Sequence, residues 1–425
     1  MKTIVLFGAG KSATVLIDYL IDESRTHGWK FIIADHDKAQ IQAKTGNSTF
    51  AEAIQLDINN EHARGELVKK AHVVISMLPP TLHFLIAKDC VEYRKHLLTA
   101  SYVDEKVNSL KEEIANRKIL FLCEMGLDPG IDHMSAMHII DRIHGEGGSI
   151  HSFKSHCGGL VAPENDDNPW RYKVSWNPRN IVMAGCSGAV YKFEGEIITR
   201  DYTNLFDTAN TLSMEGLDEL AYYPNRDSLG YMSLYRLPEA KTFMRTTLRY
   251  PVFFYGWNAL VHAGLTNDTI TLDSEGMTFE KWSVPILPFL NDLNRLELYF
   301  LGVFEDLPIP ENARTSADIL QYLVETKLAM QPQDKDMIVM LHEFGYTDNK
   351  GHSQSVSSSL LVTGENGMRT AMAKTVGLPL GIAAKLILNS EIALRGLHIP
   401  TRKEIYEPVL KELGTLGISF TEEHA

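Results

Sequence analysis

The chain has 425 residues, 44% of them hydrophobic and 22% charged, with a formal net charge of -13; this is the composition of a globular protein long enough for two or three domains. The surplus of acids excludes a general nucleic-acid binder, because a polyanion would meet a mostly negative surface. The four cysteines never form a CxxC pair, so neither a zinc site nor a disulfide framework is expected, and the sequence opens on a β-like run with no uninterrupted stretch of 18 apolar residues later, which predicts a cytoplasmic protein with no membrane partner.

In chain order, "TIVLFGAG", "WKFIIADHD", "AIQLDI", "AHVVISMLPP", "KHLLTASY" and "KILFLCEMG" are apolar runs separated by amphipathic stretches over residues 1–125. Strands that are apolar throughout and alternate with helices predict a doubly wound parallel sheet of the Rossmann type. The first run ends in Gly8-Ala9-Gly10-Lys11-Ser12-Ala13. Its last part resembles the end of a nucleoside-triphosphate P-loop, but that loop needs a glycine where Val5 stands. The alternative fits its context: Gly8 for the tight turn, Gly10 for close approach of a pyrophosphate, Ala13 for helix packing, and a helix whose positive end faces the phosphates.

Asp35 closes the second run, where a carboxylate accepts hydrogen bonds from the adenine ribose and repels a 2′-phosphate. NAD is therefore expected as cofactor with NADP still admitted, since His36 is a basic neighbour. Asp57 and Ile58, at the end of the third run, are placed to line the adenine pocket, although Asp57 reads equally well as a plain strand terminator. Ser76 to Pro80 lie where the cofactor crevice of such sheets opens.

Ser101 and Tyr102 end the fifth run, and Gly126-Leu127-Asp128-Pro129-Gly130 follows the sixth. That loop is expected to turn towards the nicotinamide; its bland reading is a hinge with Asp128 capping the next helix. His133 and His138 are five residues apart, on different helix faces, so no metal is expected. From about residue 126 to 375 the Gly/Pro/Asn-rich loops and polar-aromatic stretches predict an inserted α+β catalytic domain, and the helical tail from about 376 to 425 is expected to return to the first domain. In the insert, His156 and Cys157 adjoin two glycines, Arg171 and Lys173 fall in a charged loop, and Arg226, Arg245 and Arg249 lie among aromatics and threonines. Any one arginine reads as a salt-bridge partner; as a group they point to a small-molecule substrate with several carboxylates.

"TASY", "EMGLDPGIDHMSAM", "SHCGGLVAPENDDNPWRYKVSWNP", "YPNRDSL" and "FMRTTLRYP", in that order, resemble the glutamate-forming saccharopine dehydrogenases. The resemblance implies an NAD(P)-linked interconversion of saccharopine and water with 2-aminoadipate 6-semialdehyde and glutamate, in the 2-aminoadipate route of lysine metabolism. It implies that Gly8, Gly10, Lys11 and Ser12 contact the pyrophosphate, Asp35 the ribose, and Leu127, Asp128 and Pro129 the nicotinamide region. It also implies that Ser101, Tyr102, Asp128, Arg226, Arg245, Thr246 and Thr247 hold the substrate, and that Tyr102, Asp128 and Cys157 carry protons. Where fungal NADP-using members resemble Cys-Arg-Thr, this chain has Asp35-His36-Asp37, which moves the expectation towards NAD. Two rival readings are a dehydrogenase of another carboxylated amine, such as carboxynorspermidine, and a non-catalytic dinucleotide-binding scaffold. A homodimer is the common assembly for an enzyme of this size.

Overall fold

A computed structural model describes residues 1–207 and 210–424, and its chain divides into two compact units: residues 1–142 with 368–420, and residues 143–367 with 421–425.

In the first unit the six apolar runs form β1 (Thr3–Phe7), β2 (Lys30–Asp35), β3 (Ala51–Gln55), β4 (Val73–Ser76), β5 (His96–Thr99) and β6 (Leu120–Leu122). They pair in the order β3-β2-β1-β4-β5-β6, every pair parallel. β1 is buried along its whole length, as a strand covered on both faces must be. The order reverses between β1 and β4, which opens a crevice at the carboxyl ends of those strands.

Two pieces of the tail depart from the expectation of helices alone. Gly396–His398 adds a seventh parallel strand beside β6, and Thr421–His424 joins the sheet of the second unit. The segments Gly-Leu-His and Thr-Glu-Glu-His contain no apolar run, so nothing in the sequence marks them as strands. The boundaries move as well, because the stretch expected to begin the insert stays with the first unit through residue 142. Tyr406 fastens it there, its hydroxyl donating to Asp141 Oδ2 at 2.5 Å and its ring set edge-on to His138.

The helix Ala371–Leu388 is long and apolar enough to cross a membrane by length and composition alone, but 83% of it is buried in the protein. It lies against α1 (Thr14–His27), and the reason is steric: a Cβ on Gly377 would stand 3.0 Å from Leu16, and one on Gly381 2.6 Å from Tyr19. Two glycines one turn apart let the helices approach at a distance that larger residues forbid.

The second unit is built on a ten-stranded mixed sheet. Its strands include β7 (Ser149–Val161), β8 (Ala189–Phe193), β9 (Glu196–Arg200), β10 (Asn210–Leu212), β11 (Leu220–Pro224), β12 (Arg226–Asp227), β13 (Thr242–Arg249), β14 (Asp336–Thr347) and β15 (Ser353–Thr363). β7 is central, parallel to β13 on one side and antiparallel to β14 on the other. A separate aromatic core holds Trp170, Tyr172, Phe253 and Trp257.

Candidate active site

The glycine turn after β1 is held from two sides. Gly8 has φ +99°, and a Cβ there would stand 2.8 Å from the Met77 carbonyl, so only glycine fits. Gly10 is different: it is exposed, and a Cβ on it would meet nothing within 4 Å. Protein packing does not demand that glycine, whereas a ligand lying against the backbone would. Lys11–Ala13 form a 3₁₀ turn ahead of α1, with Lys11 exposed and Ser12 half-buried at its opening. This turn leads into the helix and keeps the first N–H groups at the crevice.

Asp35 does more than await a ribose. Its Oδ2 accepts from the Ala9 N–H at 2.7 Å, its Oδ1 from the Asp37 N–H at 3.0 Å, and His36 Nδ1 stands 2.7 Å from Oδ1. A carboxylate has about four acceptor sites, so one remains for a ribose hydroxyl. From the other side Lys44, on α2 (Lys38–Thr45), donates its ammonium to the carbonyls of Ala9 and Gly10. Burial pushes Lys44 down to about 8, against the opposing pull of Asp35 and Asp18. Lys44 is a residue that motif reading missed, since no spacing rule marks it. Asp57 is exposed and folds an Asx turn onto the Asn59 N–H at 2.9 Å, while the neighbouring Ile58 carbonyl is fixed by Arg64, itself paired with Asp89 in the interior. The residues present therefore fit a dinucleotide: an open glycine, a free-facing helix start and an acid beside them.

Along the crest of the same sheet runs a second set. Ser76 Oγ and His83 Nδ1 are 2.7 Å apart, and His83 Nε2 and Ser101 Oγ are also 2.7 Å apart. Burial lowers His83 to about 4, partly offset by Asp104, so the ring is neutral near pH 7. The Tyr102 hydroxyl donates to Asp128 Oδ1 at 3.4 Å, with both residues half-buried, while Leu127 and Pro129 are buried beside them. The loop is glycine-dependent, because a Cβ on Gly130 (φ +149°) would fall 2.0 Å from the Gly126 carbonyl oxygen. Beneath it Glu124 accepts from the Val103 N–H and pairs with His133 Nε2 at 2.8 Å, and Asp132 accepts from the Gly130 N–H at 2.6 Å. His133 is thus a buried brace for the loop. Among the described residues no group of three or more His, Cys, Asp or Glu side chains is arranged to hold a metal ion.

In the second unit the sheet register sorts the remaining candidates. β13 and β7 align Arg245 with Ser155, Thr246 with His156 and Thr247 with Cys157. Because side chains alternate along a strand, Arg245, Thr247 and Cys157 share one face, and Thr246 and His156 share the other. The Thr246 hydroxyl is engaged there, 2.7 Å from His156 Nδ1, and His156 Nε2 is 3.0 Å from Glu343. Arg245 is buried, its guanidinium 4.6 Å from the centre of the Tyr231 ring, whereas Arg226 is exposed on β12 with φ 54°. Arg249 leaves the carboxylate-binding group: it lies over Tyr172 and Phe253 in the aromatic core and donates to the Leu248 carbonyl at 2.7 Å. Arg171 and Lys173 are likewise structural, paired with Asp166 and Asp218 and with Asp167 and Asp334.

Residues 4–122 match the family model described as the saccharopine dehydrogenase NADP binding domain, and residues 126–418 the one described as the saccharopine dehydrogenase C-terminal domain. The chain is 33% identical to saccharopine dehydrogenase [NADP(+), L-glutamate-forming] of Saccharomyces cerevisiae, over 97% of this chain and 96% of that one. It is also 33% identical to the mitochondrial alpha-aminoadipic semialdehyde synthase of Bos taurus, over 99% of this chain but 48% of that one. The chain therefore spans about half the length of that relative and of its mouse counterpart. Among solved structures, the apo histidine-tagged saccharopine dehydrogenase (L-Glu forming) of Saccharomyces cerevisiae superposes with a TM-score of 0.89 at 32% identity, covering 100% of both chains.

Proposed function

The chain belongs to the saccharopine dehydrogenase family, and from that premise we propose that it interconverts saccharopine and water with 2-aminoadipate 6-semialdehyde and glutamate. One observation carries the reading: a glycine turn open to a ligand and the Tyr102–Asp128 pair stand at the carboxyl ends of one parallel sheet, where such sheets bind dinucleotide and substrate.

Gly8, Gly10, Lys11, Ser12, Asp35, Asp57 and Ile58 hold the dinucleotide in this reading, with Leu127, Asp128 and Pro129 beside the nicotinamide. A bound nicotinamide supplies the hydride acceptor. NAD is favoured over NADP because a 2′-phosphate would approach the carboxylates of Asp35 and Asp37, with His36 and Lys38 as their basic neighbours in sequence. The printed name of the yeast relative specifies NADP(+), so the two cofactors must be compared directly.

Ser101, Tyr102, Asp128, Arg226, Arg245 and Thr247 form the substrate-binding set, three carboxylates giving the guanidinium groups their purpose; Thr246, expected among them, faces the other side of the sheet with its hydroxyl on His156. Loss of hydride from the carbon of the lysine-derived arm that bears the secondary amine leaves an electrophilic iminium. Water adds to that carbon, the carbon–nitrogen bond breaks, and the nitrogen departs as the amine of glutamate. Both protons of the water must leave its oxygen as the aldehyde forms, one of them reaching the nitrogen and one being released, and Tyr102, Asp128 and Cys157 are the side chains that carry them. Holding the reactants in register accounts for most of the acceleration, because the iminium is already reactive.

The test is spectrophotometric: purified protein with saccharopine and either NAD or NADP at mildly alkaline pH. A larger rise in reduced nicotinamide with NAD supports both the reaction and the role of Asp35. A larger rise with NADP overturns the cofactor preference alone, and no rise with either, alongside measurable NADH binding, overturns the substrate.

A further inference from the structure

We propose that His83 is a positioning residue: through the buried chain Ser76–His83–Ser101 it turns the Ser101 hydroxyl into a hydrogen-bond donor aimed at a substrate carboxylate. This rests on the reading of Ser101 as a substrate contact.

Ser76 ends β4, buried between Phe7 of β1 and Thr99 of β5, and its hydroxyl has His83 Nδ1 as its one hydrogen-bond partner among the described residues. A buried hydroxyl leaves a lone pair unused at less cost than it leaves a proton unpaired, so Ser76 donates to Nδ1. A neutral imidazole has one donor and one acceptor, and with Nδ1 accepting, Nε2 carries the proton and donates to Ser101 Oγ. The Ser101 hydroxyl then has one of its two lone pairs occupied and its own proton left over. That proton suits a carboxylate oxygen and does not suit an ammonium group. The backbone of Ser101 is fixed independently, its N–H on Thr99 Oγ1 and its carbonyl accepting from Glu124 N–H, so His83 sets the direction of the hydroxyl alone.

The chain can be cut at its far end. Ser76→Ala removes the proton that selects the tautomer without touching Ser101. We expect its KM for saccharopine to rise by about 5-fold, the value of one neutral hydrogen bond, with kcat, the NADH dissociation constant and the urea midpoint close to wild type. His83→Asn, too short to reach Ser101, should raise KM by about 10-fold. His83→Gln, whose amide N–H can replace Nε2–H, should recover most of that loss. An unchanged KM in Ser76→Ala, or His83→Gln no better than His83→Asn, overturns the proposal.

If the wild type binds NADH but turns over no saccharopine, the substrate reading has failed, and the tautomer becomes the deciding measurement. Nitrogen-15 NMR of histidine-labelled holoprotein should find His83 as the Nε2–H tautomer in the wild type and not in Ser76→Ala. An Nδ1–H tautomer in the wild type overturns the inference whatever the substrate is.

Discussion

The crest of the parallel sheet in the first unit and the β7–β13 face in the second carry candidate residues in different ways. On the crest, each group sits within a few residues of a strand end, and glycines that nothing else can replace shape the loops between them. On the β7–β13 face, residues 90 or more positions apart, such as His156 and Thr246, meet only because the strands pair in one register. Loops of the first kind should fail through their backbone, and faces of the second kind through single side chains.

Gly130→Ala is the sharpest way to break that contrast. A methyl 2.0 Å from the Gly126 carbonyl forces the loop apart, and we expect a loss of at least about 3 kcal/mol in urea unfolding. A wild-type midpoint would show that the loop tolerates rearrangement. On the sheet face the corresponding change is Arg245→Ala, which should lower kcat/KM for saccharopine by about 100-fold, as for a desolvated charged hydrogen bond, while NADH binding stays unchanged. Arg226→Ala, at an exposed position, should cost less than Arg245→Ala; the reverse order would invert their assigned weights.

Smaller effects separate the two holds on the glycine turn. Asp35→Asn removes an acceptor from the Ala9 and Asp37 N–H groups and should weaken NADH binding by about 10-fold in fluorescence titration. A wild-type affinity would reduce Asp35 to a bystander.

A separate effect, on the fold rather than the site, is on acid stability. Burial takes His83 from its ordinary value near 6.5 to about 4, so the unfolded chain binds this proton more readily than the folded one. Stability then falls as pH drops through that window, by up to about 3 kcal/mol, and rises again as pH returns. His96, also lowered to about 4 by burial, shares the window. His83→Gln should remove the His83 share and flatten the fall measured by thermal midpoint between pH 6.5 and pH 4; an unchanged slope would refute it.

Much of the crest was legible in advance because its signals are local. The GxGxxA turn, the acid after the second strand and the GLDPG loop each declare themselves within a few residues, since turn geometry is set by nearest neighbours. His83 and Lys44 were not legible. Both sit on ordinary helical stretches, and what distinguishes them is a hydroxyl or a carbonyl presented by another strand. Arg249 reads as one of the carboxylate-binding arginines in the sequence because composition cannot distinguish a guanidinium facing a ligand from one stacked on Tyr172 and Phe253.

By itself the sequence determined the parallel sheet, its glycine turn and the motifs of the saccharopine dehydrogenase family, because apolar periodicity and turn chemistry act over short distances along the chain. The tertiary structure alone decided which hydroxyl His83 orients, that Asp35 and Lys44 grip the same loop, that Thr246 turns away from Arg245, and that the last strands are divided between the two units. Those outcomes depend on register and burial, and a pairing shifted by one residue would carry every side chain of a strand to the opposite face.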